Sequence, residues 1–370
     1  MHIACSINKE YIPHMCAMLL SAYTHTAASK IDIHVLHADL DLEDQMTIKN
    51  EFIQYNKITF NFYEVNKSIF KDVPIVAKHL RIETLYRLIL ASIIPDEISK
   101  ILYIDSDIII KDDLLNIWNE DITEYYIAAV VNLEGTMYQI LGFETPLDYF
   151  NAGFMLINLE KWRKELVFDR FMEYLGANSE KIIFADQDIL NGVFDGNWKR
   201  FHPKWNVQNS IYSTKEWFVK YLDENTYYNT INNPSVIHFS GPTKPWELIN
   251  IHTLTEEYYL YADKLLWKEK FPYGKNENMK NGVYIFGTGV FSASVTKNLR
   301  YFDVPIIGYL DNDKKKWGQY LHGLKIYNPD EILLDQSIEV EIIIASSFFK
   351  DIVNGLNEKY SNRSNFNITY

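Results

Sequence analysis

Two carboxylates, Asp105 and Asp107, are separated by a single residue in the segment ILYIDSDIIIKDDL. On an extended chain alternate side chains point to the same side, so these carboxylates project together, about 7 Å apart. They can share one divalent cation, which relieves the repulsion between two acids at the point where a strand leaves the core. Solvated acids at a strand end are the alternative explanation, because the chain holds other Asp-x-Asp pairs. These are Asp39/Asp41, Asp186/Asp188 and Asp311/Asp313.

A histidine far along the chain favours the pair at Asp105 and Asp107. His238 ends a short strand-like run in NPSVIHFSGPTKPW, and a Gly-Pro turn and Lys244 follow it. An imidazole, two carboxylates and diphosphate oxygens suit Mn²⁺, because Mn²⁺ accepts mixed nitrogen and oxygen ligands, whereas Mg²⁺ prefers oxygen alone. Lys244 would offer a positive charge to the same phosphates. His238 taken alone fits a hydrogen-bonded core residue, but the four residues together indicate a metal site.

Six segments of the chain match a known family and keep that family's order. They are SINKEYIP, LYRLIL, LYIDSDIII, YFNAGFMLINLEKWR, FADQDILNGVF and HFSGPTKPW, and they span residues 1–246. The chain thus resembles glycosyltransferase family 8, the retaining nucleotide-sugar transferases that include bacterial lipopolysaccharide galactosyl- and glucosyltransferases and the glycogenins. The resemblance implies an α/β fold of the GT-A type, with a Rossmann-like, mixed and mostly parallel sheet.

The resemblance also implies roles for the matching residues. Asp105, Asp107 and His238 would hold Mn²⁺, with Mg²⁺ as the alternative, against both phosphates of a UDP-sugar. Asp186 and Gln187 would act as the catalytic pair beside the donor sugar. The remaining donor-binding residues would contact the base, the sugar or the diphosphate, and they are Ser6, Ile7, Asn8, Tyr11, Arg87, Ser106, Asn151, Ala152, Gly153, Gly241 and Lys244.

One position departs from the family pattern, and several have a structural alternative. The first strand of the family usually ends in an Asp that meets the uracil ring, whereas this chain has Asn8. The amide oxygen of Asn8 can still accept the ring N–H, so we expect uridine recognition. Arg87 could instead be a surface-helix arginine, Asn151 could begin an ordinary turn, and Asp186 could cap a helix.

Retention of configuration leaves two chemical routes open. One route forms a covalent carboxylate intermediate, and in the other the acceptor attacks the same face while the leaving phosphate takes its proton. The resemblance places the amide of Gln187 below the sugar, with Asp186 beside it. An amide is a poor nucleophile, so same-face attack is favoured. Negative charge then grows on the departing phosphate, where the metal and Lys244 stabilise the transition state.

Alternating strand and helix patterns must position these residues. Strands are predicted over residues 2–6, 31–37, 58–65 and 100–104, and helices over residues 12–24, 42–52 and 84–94. The connections are too long for hairpins, which indicates a mostly parallel sheet covered by helices. Ligands of such sheets bind at the carboxyl ends of the strands.

A second, smaller α/β domain is predicted after the catalytic domain. We place the catalytic domain at 1–270, a linker at 271–281 and a Rossmann-like domain at 282–370, with a frayed tail over 361–370. Gly287-Thr288-Gly289 resembles a dinucleotide fingerprint, and Asp311 stands where a ribose-binding acid could lie. The segment is short for a dinucleotide domain, so a structural, dimerising or acceptor-shaping appendage is favoured over a nucleotide site.

Composition limits the class of partner. The 370 residues include 36 basic and 49 acidic side chains, a net charge of −13, which argues against nucleic acid and anionic lipid as partners. Two cysteines are too few for a disulfide framework. No export signal or transmembrane segment is apparent. We expect a cytoplasmic protein that meets the inner face of the membrane at most through its acceptor.

The predicted function is metal-dependent, retaining transfer of galactose or glucose from a UDP-hexose to a saccharide, glycolipid or glycoprotein. The C-terminal domain could form a homo-oligomer. One rival is an NAD-dependent oxidoreductase that uses the loop at Gly287, although no catalytic pair accompanies that loop. Another is a non-catalytic sugar-nucleotide binding protein, which the intact set of Asp105, Asp107, His238 and Lys244 argues against.

Overall fold

The computed structural model describes residues 1–71, 73, 81–132, 136–212, 214–247, 250, 252–269, 277–289, 291–337, 339–346, 349–361 and 366–369. They form two units. The first comprises Met1–Gly241 and Glu256–Lys268, and the second comprises Pro242–Thr255 and Glu269–Tyr370. Most of the predicted linker lies outside the described residues, and its described end, Glu277–Asn281, is a 3₁₀ helix. The segment Pro242–Thr255 thus groups with the second unit, although the predicted catalytic domain includes it.

Strands and helices alternate through the first unit. Its described strands are β1 (His2–Ser6), β2 (Ile31–His37), β3 (Ile58–Glu64), β4 (Lys100–Ile104), β5 (Ile108–Ile110), β6 (Ile127–Val131), β7 (Phe150–Asn158), β8 (Lys199–Arg200), β9 (Val207–Gln208) and β10 (Val236–His238). Its described α-helices are α1 (Ile12–His25), α2 (Leu42–Glu51), α3 (Leu90–Ile93), α4 (Leu115–Trp118), α5 (Met137–Leu141), α6 (Leu159–Lys164), α7 (Val167–Asn178), α8 (Asp186–Phe194), α9 (Lys215–Tyr221), α10 (Glu224–Asn232) and α11 (Thr255–Ala262).

The main sheet of the first unit has the strand order β3-β2-β1-β4-β7-β6-β8. Strands β1 to β4 run parallel, whereas β7 is antiparallel to both β4 and β6. The predicted mixed, mostly parallel sheet is therefore confirmed. The carboxyl ends of β1 and β4 are neighbours, so they bring the residues after Ser6 and after Ile104 to one edge.

A small second sheet, of order β5-β10-β9, carries the distant histidine to that edge. Strand β10 pairs antiparallel with β5, and His238 lies opposite Ile108, the residue after Asp107. The N–H of Phe239 donates to the carbonyl of Asp107 at 2.9 Å. The isoleucines of β5 are fully buried, and this burial stabilises the pairing that positions His238.

The pairing of β6 with β7 contains an irregularity. Ala129 lies opposite Met155, but the next residue, Val130, lies opposite Asn151. Residues 152–154 of β7 are therefore skipped by β6, as in a bulge. The main-chain groups of these residues that face β6 are therefore not used in the pairing with β6 and can bond to other partners.

The helix predicted over residues 84–94 is instead a 3₁₀ helix, Ile82–Ile89, followed by α3. A side-chain hydrogen bond of Arg87 accompanies the tighter winding. Its Nε donates to the carbonyl of Thr84 at 3.0 Å, three residues earlier. With three residues per turn, a 3₁₀ helix places those two residues on the same face.

The second unit is a Rossmann-like layer of its own. Its described strands are β11 (Val283–Phe286), β12 (Ile306–Leu310), β13 (Tyr320–Leu321), β14 (Leu324–Tyr327), β15 (Val340–Ile344) and β16 (Phe366–Thr369), and its described helices are α12 (Phe291–Tyr301), α13 (Pro329–Leu333) and α14 (Phe349–Lys359). The strand order is β13-β14-β12-β11-β15-β16, with every pair parallel except β13 and β14.

The prediction of a frayed tail is wrong for the residues of β16. This strand pairs with β15, with Ile368 opposite Ile342. The segment NFNIT alternates polar and apolar residues, which is typical of a strand. The prediction of fraying follows instead from the polar composition of the whole tail. The main-chain groups of β16 that face β15 therefore pair with that strand. None of the helices within the described ranges combines the length and apolarity that crossing a bilayer requires.

Candidate active site

The Asp-x-Asp pair and the distant histidine meet at the edge of the main sheet. One ligand atom from each of Asp105, Asp107 and His238 lies within 4.8 Å of the others. His238 Nε2 is 3.4 Å from Asp107 Oδ1. Asp107 and His238 are buried, and Ser106 between the acids is buried as well. These three side chains offer the mixed nitrogen and oxygen donors of a transition-metal site, so the residues present fit a divalent cation.

Gly153 in β7 allows this close approach. A Cβ at position 153 would lie 2.4 Å from His238 Cε1 and 2.8 Å from Asp105 Oδ2. Real side chains do not approach so closely, so only glycine fits here. The Gly153 carbonyl accepts the N–H of Asp105 at 2.8 Å, which ties β7 to the end of β4. Asn151, Ala152 and Gly153 lie inside a strand, so the alternative of an ordinary turn is wrong.

Arg87 lies between two acids of the site. Its Nη2 is 2.7 Å from Asp105 Oδ1, and its Nε is 3.1 Å from Asp186 Oδ2. The guanidinium also donates to the carbonyl of Ala152 at 2.5 Å and stacks on the ring of Tyr103. Only 3% of Arg87 is exposed, which excludes the surface-helix alternative. Burial acts to lower the pKa of Arg87, but the charges of Asp105 and Asp186 outweigh burial and raise it.

Asp186 begins α8 and points at Arg87 rather than capping the helix. Ala185 is the N-cap residue, and no side-chain cap bond is present, so the capping alternative is wrong. Ala185 has φ 46° and ψ −115°, a strained backbone for a residue with a Cβ. Burial raises the pKa of Asp186 to about 6, although the charge of Arg87 opposes the shift. Burial likewise raises the pKa of Asp105, again against Arg87.

Buried amides connect the metal ligands to α8. Asn151 Nδ2 donates to Gln187 Oε1 at 3.1 Å, and Asn206 Nδ2 donates to Asn151 Oδ1 at 2.9 Å. Asn206 Oδ1 lies 2.9 Å from His238 Nδ1. Ala152 N–H also donates to Gln187 Oε1, at 3.1 Å. Predicted site residues from β7, α8 and β10 thus belong to one hydrogen-bonded network.

The residues predicted to hold the base follow β1. Asn8 Oδ1 accepts the N–H of Tyr11 at 3.2 Å and caps the short 3₁₀ helix Lys9–Tyr11. One lone pair of that oxygen is therefore used locally, and the second remains for a ligand. Ser6 ends the strand beside β4, and Ile7 follows it directly.

The diphosphate residues of the prediction fall in different units. Gly241 ends the first segment of the first unit, and its φ of 94° requires glycine. Lys244 lies in Pro242–Thr255, which groups with the second unit, and its N–H donates to Glu247 at 3.0 Å. Its role with phosphate stays a prediction.

Comparison with known proteins now identifies the family. Residues 2–250 match the family described as Glycosyl transferase family 8. The chain belongs to glycosyl transferase family 8. Residues 279–364 match a second family, described as C2185-like, N-terminal.

Individual relatives agree with the family 8 assignment. The chain is 30% identical to a putative glycosyltransferase of Haemophilus influenzae over 66% of its own length and 73% of the relative. It is 29% identical to the lipopolysaccharide 1,3-galactosyltransferase of Salmonella typhimurium over 70% of its length and 77% of that protein. The structure of the galactosyltransferase LgtC with donor and acceptor sugar analogs has a TM-score of 0.64 and 27% identity, covering 73% of this chain and all of LgtC.

Several residues of this family 8 site were missed from the sequence. Asn206 and Gln208 line an open cleft together with Asn132, Ser210 and Phe218. Tyr149 accepts from Gln187 Nε2 at 2.8 Å and donates to Asp188 at 2.7 Å. Buried asparagine and tyrosine residues occur in any core, so only their position next to β7 and β10 reveals them.

In the second unit, the acid expected to meet a ribose is already engaged. Asp311 Oδ2 accepts from Thr288 N at 3.2 Å and from Lys316 Nζ at 3.1 Å, and Thr288 Oγ1 also donates to it. Asp311 Oδ1 accepts the N–H of Asp313 at 2.8 Å. Burial raises the pKa of Asp311, but these hydrogen bonds outweigh burial and lower it. Ribose would have to compete with Thr288 and Lys316 for this carboxylate.

Gly153→Ala tests the close packing around the metal ligands. The new methyl group must displace His238 and Asp105, so we expect Mn²⁺ affinity to fall at least ~10-fold and the free energy of unfolding to fall by about 1–3 kcal/mol. Titration of Mn²⁺ by electron paramagnetic resonance and urea denaturation measure the two effects. Gly176→Ala in α7, where a Cβ meets open space, is the matched control. Wild-type Mn²⁺ affinity in Gly153→Ala would contradict this account.

Asp186→Asn tests the raised pKa of the buried acid. Because the folded pKa of about 6 exceeds the ordinary 3.8, the Asp186 contribution stabilises the fold below about pH 4 and is lost as pH rises to about 6. Relative to the variant, the metal-free wild type should lose on the order of 3 kcal/mol of unfolding free energy across that window. Urea denaturation at pH 4 to 7 measures the difference, with Asp96→Asn as the control for losing one exposed charge. A difference that does not change with pH would contradict the shift.

Proposed function

We propose that this family 8 glycosyltransferase moves a hexose, galactose or glucose, from a UDP-sugar to a glycan or glycoconjugate acceptor, with metal dependence and retention of configuration. The observation that carries the proposal is the convergence of Asp105, Asp107 and His238 within 4.8 Å at the carboxyl ends of the parallel strands. Nucleotide ligands of such sheets bind at that edge. The likeness to a lipopolysaccharide galactosyltransferase and to LgtC supports a hexose donor.

In this proposal Asp105, Asp107 and His238 hold the cation, and Mn²⁺ is favoured over Mg²⁺ because one donor is an imidazole nitrogen. When bound, the cation supplies positive charge to the diphosphate oxygens as the sugar departs. Ser6, Ile7 and Asn8 contact the uracil base. The family resemblance assigns Gly241 and Lys244 to the diphosphate.

The donor sugar is assigned to the network of Asn151, Gln187 and Asp186. An amide that both donates and accepts matches sugar hydroxyls, and Asn151 and Gln187 are held in fixed orientations by β7. Ala152 and Gly153 are assigned to the same pocket, where Gly153 leaves room for His238 and Asp105. Arg87 holds the Asp186 carboxylate in place through its Nε.

Same-face attack is the route that the side chains favour. The amide of Gln187 is a poor nucleophile, and the Asp186 carboxylate is buried against Arg87. Asp188 Oδ2 accepts from the N–H groups of Ile183 and Phe184, and its Oδ1 accepts from Tyr149. Neither acid is a carboxylate free to form a covalent intermediate. The leaving phosphate then takes the proton of the acceptor hydroxyl.

The acceptor is assigned to the open cleft beside His238. The cleft is lined by polar side chains, among them Asn132, Gln208 and Ser210, and by the ring of Phe218. A saccharide surface needs this mixture of hydrogen-bonding groups and apolar contact. A cytoplasmic location, contact with the membrane only through the acceptor, and homo-oligomers formed through the C-terminal domain remain predictions.

Donor hydrolysis with Asp107→Ala tests the proposed reaction. We expect the wild type with MnCl₂ to release UDP from UDP-galactose or UDP-glucose, EDTA to stop the release, and the variant to lose at least ~100-fold in rate, because one metal ligand is gone. Asp313→Ala, from the Asp-x-Asp pair of the second unit, is the matched control and should keep the wild-type rate. Equal UDP release by wild type and Asp107→Ala would reject the metal assignment.

Ligand-dependent thermal unfolding distinguishes the proposed transferase function from an NAD-dependent oxidoreductase function. UDP with MnCl₂ should stabilise the wild type by about 2.7 kcal/mol when the ligand is present at 100 times its Kd. NAD(H) should give no shift in the melting temperature. Stabilisation by NAD(H) alone would overturn the proposal and would favour an oxidoreductase that binds NAD(H) at the loop containing Gly287.

A further inference from the structure

The amide network described above has a direction that can be worked out from the backbone. We define the amide relay as His238, Asn206, Asn151 and Gln187. Asn151 and Asn206 are buried, so their amide groups must find partners within the protein. Side-chain amides can be turned over without a change in shape, but a main-chain N–H can only donate. A main-chain donor at one point therefore fixes the orientation of each amide connected to it.

The N–H of Gly153 is that fixed donor. It points at Asn151 from 3.0 Å, so the Asn151 atom it meets is the carbonyl oxygen, Oδ1. Asn206 approaches the same oxygen at 2.9 Å and must donate to it, which identifies the approaching atom as Nδ2. The Asn206 Oδ1 therefore faces His238 Nδ1, at 2.9 Å. Because an amide oxygen only accepts, His238 Nδ1 carries the proton.

A second main-chain donor gives the same orientation independently. Ala152 N–H donates to Gln187 Oε1 at 3.1 Å. The Asn151 atom that meets this oxygen, also at 3.1 Å, must then be the donor Nδ2. Gln187 Nε2 is left to donate to Tyr149 OH at 2.8 Å. Both main-chain groups thus require the same orientation of Asn151.

The direction of the relay has a consequence for the metal ligand. A neutral imidazole with its proton on Nδ1 has its lone pair on Nε2. His238 Nε2 faces Asp107, on the side of the three converging ligand atoms. We propose that Asn206 is a positioning residue that holds His238 in the Nδ1–H tautomer, with Nε2 directed at a divalent cation. This inference rests on the metal site of the proposed function.

Two substitutions separate this role from simple packing of the cleft. Asn206→Leu keeps the bulk of the side chain but removes the acceptor for His238 Nδ1–H. Asn206→Asp keeps that acceptor, loses the donation to Asn151 and adds a negative charge beside His238. A role in the tautomer predicts that the Asp variant resembles the wild type and the Leu variant does not. A packing role predicts that the two variants differ little, or that Leu is the better substitute.

The first measurement needs no metal. Long-range ¹H–¹⁵N spectra of the full-length, metal-free protein, at a pH where His238 is neutral, report which ring nitrogen carries the proton, and His238→Gln assigns the signals. We expect Nδ1–H in the wild type and in Asn206→Asp, and an increased share of Nε2–H in Asn206→Leu. An Nε2–H ring in the wild type overturns the proposal, whether or not any variant folds.

The second measurement is Mn²⁺ affinity, from free Mn²⁺ by electron paramagnetic resonance. We expect Asn206→Leu to bind about 10- to 100-fold more weakly and Asn206→Asp to lose no more than about threefold in affinity relative to the wild type. Asn132→Leu is the matched control, because Asn132 lines the same cleft but is not a member of the relay, and it should keep wild-type affinity. Equal loss in the Leu and Asp variants, or no loss in the Leu variant, overturns the proposal. Absence of Mn²⁺ binding by the wild type would instead reject the proposed metal site, and the tautomer spectra would still decide the role of Asn206.

Discussion

The structure depends on how it accommodates buried negative charge. Asp105, Asp107 and Asp186 meet at one edge of the sheet, and Arg87 is the cation placed among them. Three carboxylates against one guanidinium leave two negative charges. Buried charges of this kind are unfavourable unless they are paired. A divalent cation would balance the remainder. Burial, together with the repulsion of neighbouring acids, raises the pKa of Asp105 and of Asp186.

Strand pairing explains why residues far apart in sequence lie together in this charged site. Asp107 stands directly before β5, and the antiparallel pairing of β5 with β10 brings His238 opposite the next residue. The apolar side chains of β5 and β10 stabilise that pairing and carry no chemistry themselves. Gly153 then lets β7 lie against both ligands. The convergence of Asp105, Asp107 and His238 thus depends on apolar strands and one glycine as well as on the three side chains themselves.

The sequence predicts most of the architecture and the types of the key residues. The strands at residues 2–6, 31–37 and 100–104 match the structure, because alternation and burial leave a clear pattern. The winding around Arg87 could not be predicted, since its sequence pattern does not distinguish a 3₁₀ helix from an α-helix. The tail strand β16 was missed because its pairing with β15 is a tertiary contact.

The same limit applies to the site. Asp105, Asp107, His238, Arg87 and Asp186 were expected together, and the structure brings them together. Asn206 and Tyr149 were not expected, because neither has a sequence pattern that distinguishes it from a core residue. Their part in the site follows only from the atoms they face. Lys244 remains assigned through the family resemblance alone.

The irregularity between β6 and β7 has a consequence for how such a site can vary. All four main-chain polar groups of Ala152 and Gly153 serve the site: two N–H groups donate to Gln187 and Asn151, and two carbonyls accept from Arg87 and Asp105. These four hydrogen bonds are made by main-chain groups and not by side chains. Substitution of the surrounding polar side chains would therefore leave these four main-chain groups in place. A comparison of residue types alone would not show these main-chain hydrogen bonds.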